Sequence, residues 1–270
     1  MPKSMASTIL ITGASSGIGK ALALHYAQLG WQLALMARNT AKLQEVTDAC
    51  EKLGAQVFNF TGDVSVEEDC KQFVDQTMAR FGQINVLINN AGISMRGLFS
   101  QTDLSVLKNV MDINFWGTVY CTKYALPHLL LSKGSVVGVS SIAGFKGLPA
   151  RTGYSSSKFA MQGFLESLRC ENLETGLHVL IACPGYTESS IRENSLNADG
   201  QAQGKTPLNE SKLMSAATVA ARIEKAISQR KIYLILTTQG KLAVFINKWF
   251  PKLADRLTYN LVKKEPDSPF

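Results

Sequence analysis

The feature that most constrains the fold of this chain is an alternation. Short apolar, β-branched runs ("STILIT", "WQLALMA", "AQVFNF", "INVLIN", "GSVVGV" and "HVLIAC") are separated by longer stretches whose apolar residues recur at helical spacing. Strands linked through helices of that length form βαβ units, and these lay parallel strands side by side with helices on both faces. The runs are apolar almost throughout, as expected for strands covered on both sides. "GIGKALALHYAQLG" reads as a helix stopped at Gly30, and "NTAKLQEVTDACEKLG" as one that lines up Leu43, Val46, Cys50 and Leu53 before Gly54. Further helices are predicted over 65–81, 103–131 (Pro127 near its end) and 152–175.

No break in composition interrupts residues 6–185, so residues 1–240 are read as a single α/β domain with a doubly wound, predominantly parallel sheet. Residues 186–215 are polar and loop-like, and a loop of that length is expected to be functional, here a lid over a substrate. Residues 241–270 form a separate C-terminal extension. Of the formal charge of +7, residues 241–264 hold +5, with Lys241, Lys248, Lys252, Arg256, Lys263 and Lys264 against Asp255 alone; the tail after them returns −2, and residues 1–240 hold +4. A local excess of this kind does not make a general nucleic-acid face.

The same extension is apolar. Leu242, Phe245, Ile246, Trp249, Leu253, Leu257 and Leu261 recur at steps of three and four, and Pro251 is expected to kink or split the helix. Two readings stand: packing on the substrate cleft or on another subunit, or an interfacial helix touching membrane through 241–264. No apolar run reaches the roughly 18 residues of a spanning helix. "MPKSMASTILITGAS" has no room for a signal peptide, which predicts a cytoplasmic protein. The five cysteines are scattered without a CxxC pair and read as small buried apolar residues; His25, His128 and His178 lack ligand spacing, so no metal is expected.

Three motifs carry chemistry. The turn after the first strand reads T-G-A-S-S-G-I-G, with Gly13, Gly17 and Gly19 around Ser15, Ser16 and Ile18. Such a turn lets backbone N–H groups approach a pyrophosphate at a helix N-terminus. The second strand then ends in "LMARNT", placing Arg38 and Asn39 where an acid would meet the ribose of NAD and an arginine the 2′-phosphate of NADP. The plain alternative for Arg38 is a solvated surface side chain. In "GYSSSKF", Tyr154 and Lys158 lie four residues apart, on one face of a helix. Taken alone, that pair is an ordinary surface pair.

The ordered set of motifs resembles the short-chain dehydrogenase/reductases. It comprises TGASSGIG at 12–19, Asp63-Val64 after the third strand, NNAG at 89–92, Asn114 in the long helix, Ser141 before "AG", Y-x-x-x-K at 154–158, and Pro184-Gly185. The resemblance implies a seven-stranded Rossmann-type sheet and NAD(P)-linked chemistry at a carbonyl or alcohol carbon. It implies Tyr154 as general acid/base, Lys158 as the charge that lowers its pKa and as a contact to the nicotinamide ribose, and Ser141 as a hydrogen-bond donor to the substrate oxygen. Asn114 would hold a water leading from Lys158 to solvent. Asp63 and Val64 would flank adenine, Asn90, Ala91 and Gly92 the floor of the cofactor site, and Pro184, Gly185 and Thr187 the nicotinamide amide. Thr187 departs from the Val or Ile common at that position. Ser140 and Ser141 point to opposite sides in a strand, and the thirteen-residue gap to Tyr154 selects Ser141.

The expected function is therefore an NADP(H)-dependent oxidoreductase that reduces a ketone or aldehyde, acting as a homodimer or homotetramer. Leu98, Phe99, Phe145, Leu148 and Tyr186 are candidates to line a cleft for a bulky, lipid-like or steroid-like substrate. The competing expectations are a non-catalytic NADP(H)-binding sensor or scaffold, and an NAD-linked alcohol dehydrogenase.

Overall fold

A computed structural model describes residues 6–187, 191–192, 194–204, 213–266 and 268–270. Seven parallel strands form one sheet: β1 (Thr8–Thr12), β2 (Gln32–Ala37), β3 (Val57–Thr61), β4 (Val86–Asn89), β5 (Ser135–Val139), β6 (His178–Cys183) and β7 (Tyr233–Ile235), in the order β3-β2-β1-β4-β5-β6-β7. Ile9 of β1 stands beside Leu33 of β2 and Val86 of β4, so the winding reverses about β1. At such a switch point the loops leaving the carboxyl ends of the strands diverge and open a crevice.

Strand alternation sorts the core into two layers. Ile9 and Ile11 face one side, where α1 (Gly17–Gln28), α2 (Thr40–Lys52) and α7 (Ala216–Ser228) contribute Leu22, Tyr26, Leu43, Val46 and Ile223. Leu10 faces the other, packed with residues of α3 (Glu67–Phe81), α5 (Gly117–Leu131) and α6 (Thr152–Glu171), among them Phe73, Cys121, Leu129, Met161 and Leu165. Truncating a leucine in either layer to alanine costs about 2–5 kcal/mol by general experience. Four of the cysteines are buried in these layers as expected, while Cys170 is exposed.

The predicted helix over 103–131 is observed in three parts: α4 (Leu104–Met111), a π-helical turn (Asp112–Trp116) and α5. The π turn inserts a residue that periodicity cannot reveal, and it carries Asn114. Pro127 sits within α5 without ending it. The helix over 152–175 stops earlier, at Glu171. Leu53 caps α2 and is 45% exposed, so it does not share the buried face of Leu43, Val46 and Cys50. β7 and α7 lie beyond the region that sequence periodicity resolved; β7 is only three residues long and half-buried.

Residues 241–270 do not begin a separate element. Position 241 falls inside α8 (Thr238–Trp249), whose cap Thr237 accepts from the Gly240 N–H at 3.0 Å. Pro251 does split the segment: it starts α9 (Pro251–Lys263), where a missing N–H costs nothing.

Candidate active site

Because the sheet is parallel, every predicted site residue that follows a strand reaches the same edge: Gly13 after β1, Arg38 after β2, Asp63 after β3, Asn90 after β4, Ser141 after β5 and Pro184 after β6. The glycine turn is fixed mainly by the loop after β4. Asn90 donates through Nδ2 to the carbonyls of Thr12 at 2.9 Å and Gly13 at 3.1 Å, and the Thr12 hydroxyl accepts from the N–H groups of Asn90 and Ala91. Gly13 has φ of +66°, and a Cβ there would stand 2.8 Å from the Ala91 Cα. A Cβ on Gly19 would stand 2.2 Å from the Gly13 oxygen. Those two glycines are therefore required by the protein's own backbone. Ser16 caps α1 without a side-chain hydrogen bond, which leaves the first N–H groups of that helix, from Gly17 and Ile18 onward, unspent by a cap.

At the neighbouring strand ends, the Arg38 guanidinium is 62% exposed and 3.6 Å from the Asp63 carboxylate. Asp63 also accepts from the Ser65 N–H and hydroxyl at 2.9 and 2.8 Å, so its orientation is set by the turn into α3. Asn39 caps α2 through the Lys42 N–H at 2.9 Å. Val64 is buried against Gly117, where a Cβ would come within 2.8 Å of it.

Ser141, Tyr154 and Lys158 converge. Ser140 turns inward to accept from Gln162 at 2.9 Å, and the Ser141 hydroxyl caps the turn Ile142–Gly144 through the Ala143 N–H at 3.1 Å. Burial pushes the Tyr154 phenol above its ordinary value, the Ser141 hydrogen bond pulls it back, Cys183 raises it and Arg151 lowers it. Lys158 is 3% exposed, and its Nζ donates to the Val139 carbonyl at 2.9 Å. Burial brings its pKa down to about 8, with Cys183 opposing. The ammonium lies 5.9 Å from the Tyr154 ring centroid. Desolvation dominates the phenol's shift, and Ser141 and Arg151 supply the downward pull.

Asn114 is fully buried, and its amide is committed. Oδ1 accepts from the Ile93 N–H at 2.8 Å, and Nδ2 donates to the Ile93 carbonyl and the Ser157 hydroxyl, both at 2.9 Å. The side chain clamps the loop after β4 to α6. A Cβ on Gly92 would lie 3.1 Å from Asn114 Oδ1 and 3.4 Å from Lys158 Nζ, so the glycine keeps the way to that amine open. The serines between Tyr154 and Lys158 have work of their own. Ser155 accepts from the Leu148 N–H at 3.0 Å, and Ser157 donates to the Tyr154 carbonyl at 2.8 Å.

On the nicotinamide side of the predicted site, a Cβ on Gly185 would meet Thr237 at 2.4 Å, and the buried Thr187 hydroxyl donates to the Gly185 carbonyl at 3.1 Å. The predicted lid lies partly outside the described residues, which omit 188–190, 193 and 205–212. Its described part is tied to the loop after β4, with the Leu196 N–H donating to the Ser94 carbonyl and its carbonyl accepting from Arg96. Of the predicted lining residues, Phe145 packs against Tyr233, while Phe99 and Tyr186 are 60% and 51% exposed. Leu148 borders a cavity of about 500 Å³ with Pro149, Thr152, Ser156 and Phe159. Tyr154 and Lys158 are not among that cavity's lining residues.

Sequence reasoning missed three parts of this site. Gln162, one turn past Lys158 on α6, joins Ser140 and the Ser141 carbonyl; the recurrence of polar residues at 154, 158 and 162 was its signal. Arg151, just before α6, and Arg96 hold the Glu265 carboxylate, Arg151 at 2.8 and 3.1 Å and Arg96 at 3.3 Å. The three side chains are 16%, 10% and 8% exposed in that order. No local pattern announces a contact across 114 residues.

The comparisons with known proteins agree with this geometry. The sequence profile described as short chain dehydrogenase matches residues 7–200. The chain belongs to the short-chain dehydrogenase family. It is 38% identical over 247 residues to the 11-beta-hydroxysteroid dehydrogenase-like 4A of Arabidopsis thaliana, covering 91% of this chain and 81% of the relative. A short chain dehydrogenase/reductase of Burkholderia phymatum in complex with NAD superposes with a TM-score of 0.81 at 23% identity, over 94% of this chain and 96% of that one. The alcohol dehydrogenase of the archaeon Thermococcus sibiricus complexed with 5-hydroxy-NADP gives 0.75 at 23% identity, over 85% and 94%. Short-chain dehydrogenases bind a nicotinamide cofactor, and the unspent N-terminus of α1 and the buried Lys158 suit one.

Proposed function

We propose that this protein is an NADP(H)-dependent reductase of bulky, apolar ketones or aldehydes. The observation that carries the chemistry is the Tyr154 phenol, set beside Ser141 and one helical turn from the buried Lys158 amine. The bound dinucleotide would supply the hydride that reaches the carbonyl carbon. The chain's own residues do the rest. Ser141 positions the carbonyl oxygen by hydrogen bonding, which stabilises the charge that develops there. Tyr154 gives its proton to that oxygen, completing the alcohol, and is reprotonated from solvent. A phenol held above its ordinary pKa is kept protonated at neutral pH, the form a reduction requires.

Gly13, Ser15, Ser16, Gly17, Ile18 and Gly19 would hold the pyrophosphate, Asp63, Val64, Asn90, Ala91 and Gly92 the adenosine half, and Lys158, Pro184, Gly185 and Thr187 the nicotinamide half. Arg38 supports the choice of NADP(H): its exposed guanidinium stands at the end of β2, where a carboxylate would favour NAD(H). The relatives named as hydroxysteroid dehydrogenase-like support a bulky, steroid-like carbonyl. The exposed Trp116 and Phe159, beside and on the catalytic helices, support a homodimer. The test is oxidation of NADPH and NADH against a panel of ketones and aldehydes. Turnover of large apolar carbonyls with NADPH is expected. Tight NADPH binding with no turnover of any carbonyl would replace this reading with a sensor.

A further inference from the structure

The hairpin of α8 and α9 presents an unusual surface. On α8, Leu242, Phe245 and Trp249 fall on one stripe, and on α9 Leu253, Leu257 and Leu261 follow at steps of four; all six are 48–61% exposed. Ala254 and Val262 occupy the inward side of α9 and are 5% and 2% exposed, so the outward position of the leucines is set by packing. Contiguous exposed apolar surface of this kind marks an interaction site.

The charges choose the occupant. Lys241, Lys248, Lys252, Arg256, Lys263 and Lys264 are exposed on the same two helices. The one acid among residues 241–264, Asp255, is engaged by Lys146. Two copies meeting through this face would bring two sets of six cations together without compensating acids, which disfavours self-association. An anionic bilayer complements both properties, taking large apolar side chains into the acyl boundary and cations among the headgroups. Among the described residues no helix is long and apolar enough to cross a membrane, so the contact is with the surface.

We infer that the α8–α9 face docks this protein on anionic lipid bilayers. The hairpin also abuts the turn that follows Ser141: Asn247 donates to the Phe145 carbonyl at 2.8 Å, and a Cβ on Gly240 would stand 2.7 Å from Ile142. Docking therefore brings the substrate side of the site to the lipid. The inference does not depend on the reaction, because its readout is binding.

The experiment is co-sedimentation of the full chain with vesicles of phosphatidylcholine alone or mixed with phosphatidylserine. The protein is expected to pellet with the mixed vesicles and to be released by salt. The double variant Trp249→Ala/Leu253→Ala should bind at least about tenfold more weakly, given the apolar area removed. Lys248→Glu/Lys252→Glu should lose about fivefold per cation on anionic vesicles only. Circular dichroism checks that both variants are folded; all four residues are exposed, so folding is expected to survive. Absence of binding to the mixed vesicles, or binding that both variants retain, would overturn the inference. So would a dimer in sedimentation velocity that Trp249→Ala/Leu253→Ala converts to monomer, since the face would then belong to a second copy.

Discussion

The two sides of the crevice are built differently. On the glycine-turn side, residues 12–19 and 89–92 are joined by four hydrogen bonds, each between backbone and one of two side chains, Thr12 or Asn90. On the hairpin side, much of the attachment runs through side chains from distant parts of the chain: Asn247 on Phe145, Asp255 on Lys146, and Glu265 on Arg96 and Arg151. The first side cannot move without breaking the sheet edge. The second is pinned to the rest at these few points. Under the proposed function, cofactor recognition falls to the rigid side and the substrate wall to the pinned one.

The sharpest way to test that division is Tyr154→Phe. Turnover should fall roughly 10³-fold, as expected for loss of a general acid, while the cofactor dissociation constant stays unchanged. A variant that keeps its turnover would move the acid elsewhere. On the pinned side, Glu265→Gln leaves Arg96 and Arg151 without their buried carboxylate. Breaking a buried ion pair costs about 3 kcal/mol, so the urea midpoint should drop, and KM for carbonyl substrates should rise more than kcat falls. An unchanged midpoint would mean that the tail is not pinned through Glu265. Back on the rigid side, Arg38→Asp should weaken NADPH about 10²-fold and NADH far less, measured by fluorescence titration. Equal weakening of both would reject a phosphate contact at Arg38.

The same division governs what the sequence could reveal. The parallel sheet covered on both faces and the delivery of Gly13, Asp63, Asn90 and Ser141 to one edge follow from local runs and from the rule that parallel strands bring their loops together, whereas the order of the strands does not. Asn114 was legible as a polar residue in a helix. Its place in a π turn was not, because one inserted residue leaves no trace in a period of about 3.6. Ser155 and Ser157 looked like small spacers, yet each makes a specific hydrogen bond. The Arg96–Arg151–Glu265 cluster was invisible because its members are ordinary charged residues until the chain folds back. In the hairpin, spacing identified the apolar stripe and Pro251 as its break. Only the packing of Ala254 and Val262 shows which way the stripe faces.

The smallest expected effect lies where the two sides meet, at Lys158. Burial lowers this amine from 10.5 to about 8, so it loses its charge as pH rises through that value. The Tyr154 phenol is shifted the other way and stays protonated over the same range. A fall in carbonyl reduction above pH 8, about tenfold per pH unit at most, therefore reports Lys158 and not the acid. Stability should respond with the opposite sign. Between about 8 and 10.5 the unfolded chain keeps a proton on Lys158 that the folded chain has lost, so this group makes folding more favourable as pH rises across that window. Cys50, Cys121 and Cys183, all raised above the ordinary thiol value, oppose it as unfolded thiols ionise near 9, and Tyr26, raised by burial, opposes it as unfolded phenols ionise near 10. Activity and the Lys158 contribution to stability are thus expected to diverge between about pH 8 and 9, below the range in which the thiols and phenols ionise. Lys158→Arg, whose guanidinium keeps its charge, should move the alkaline limb of turnover upward. If the limb stays at the same pH in that variant, the group responsible is not Lys158.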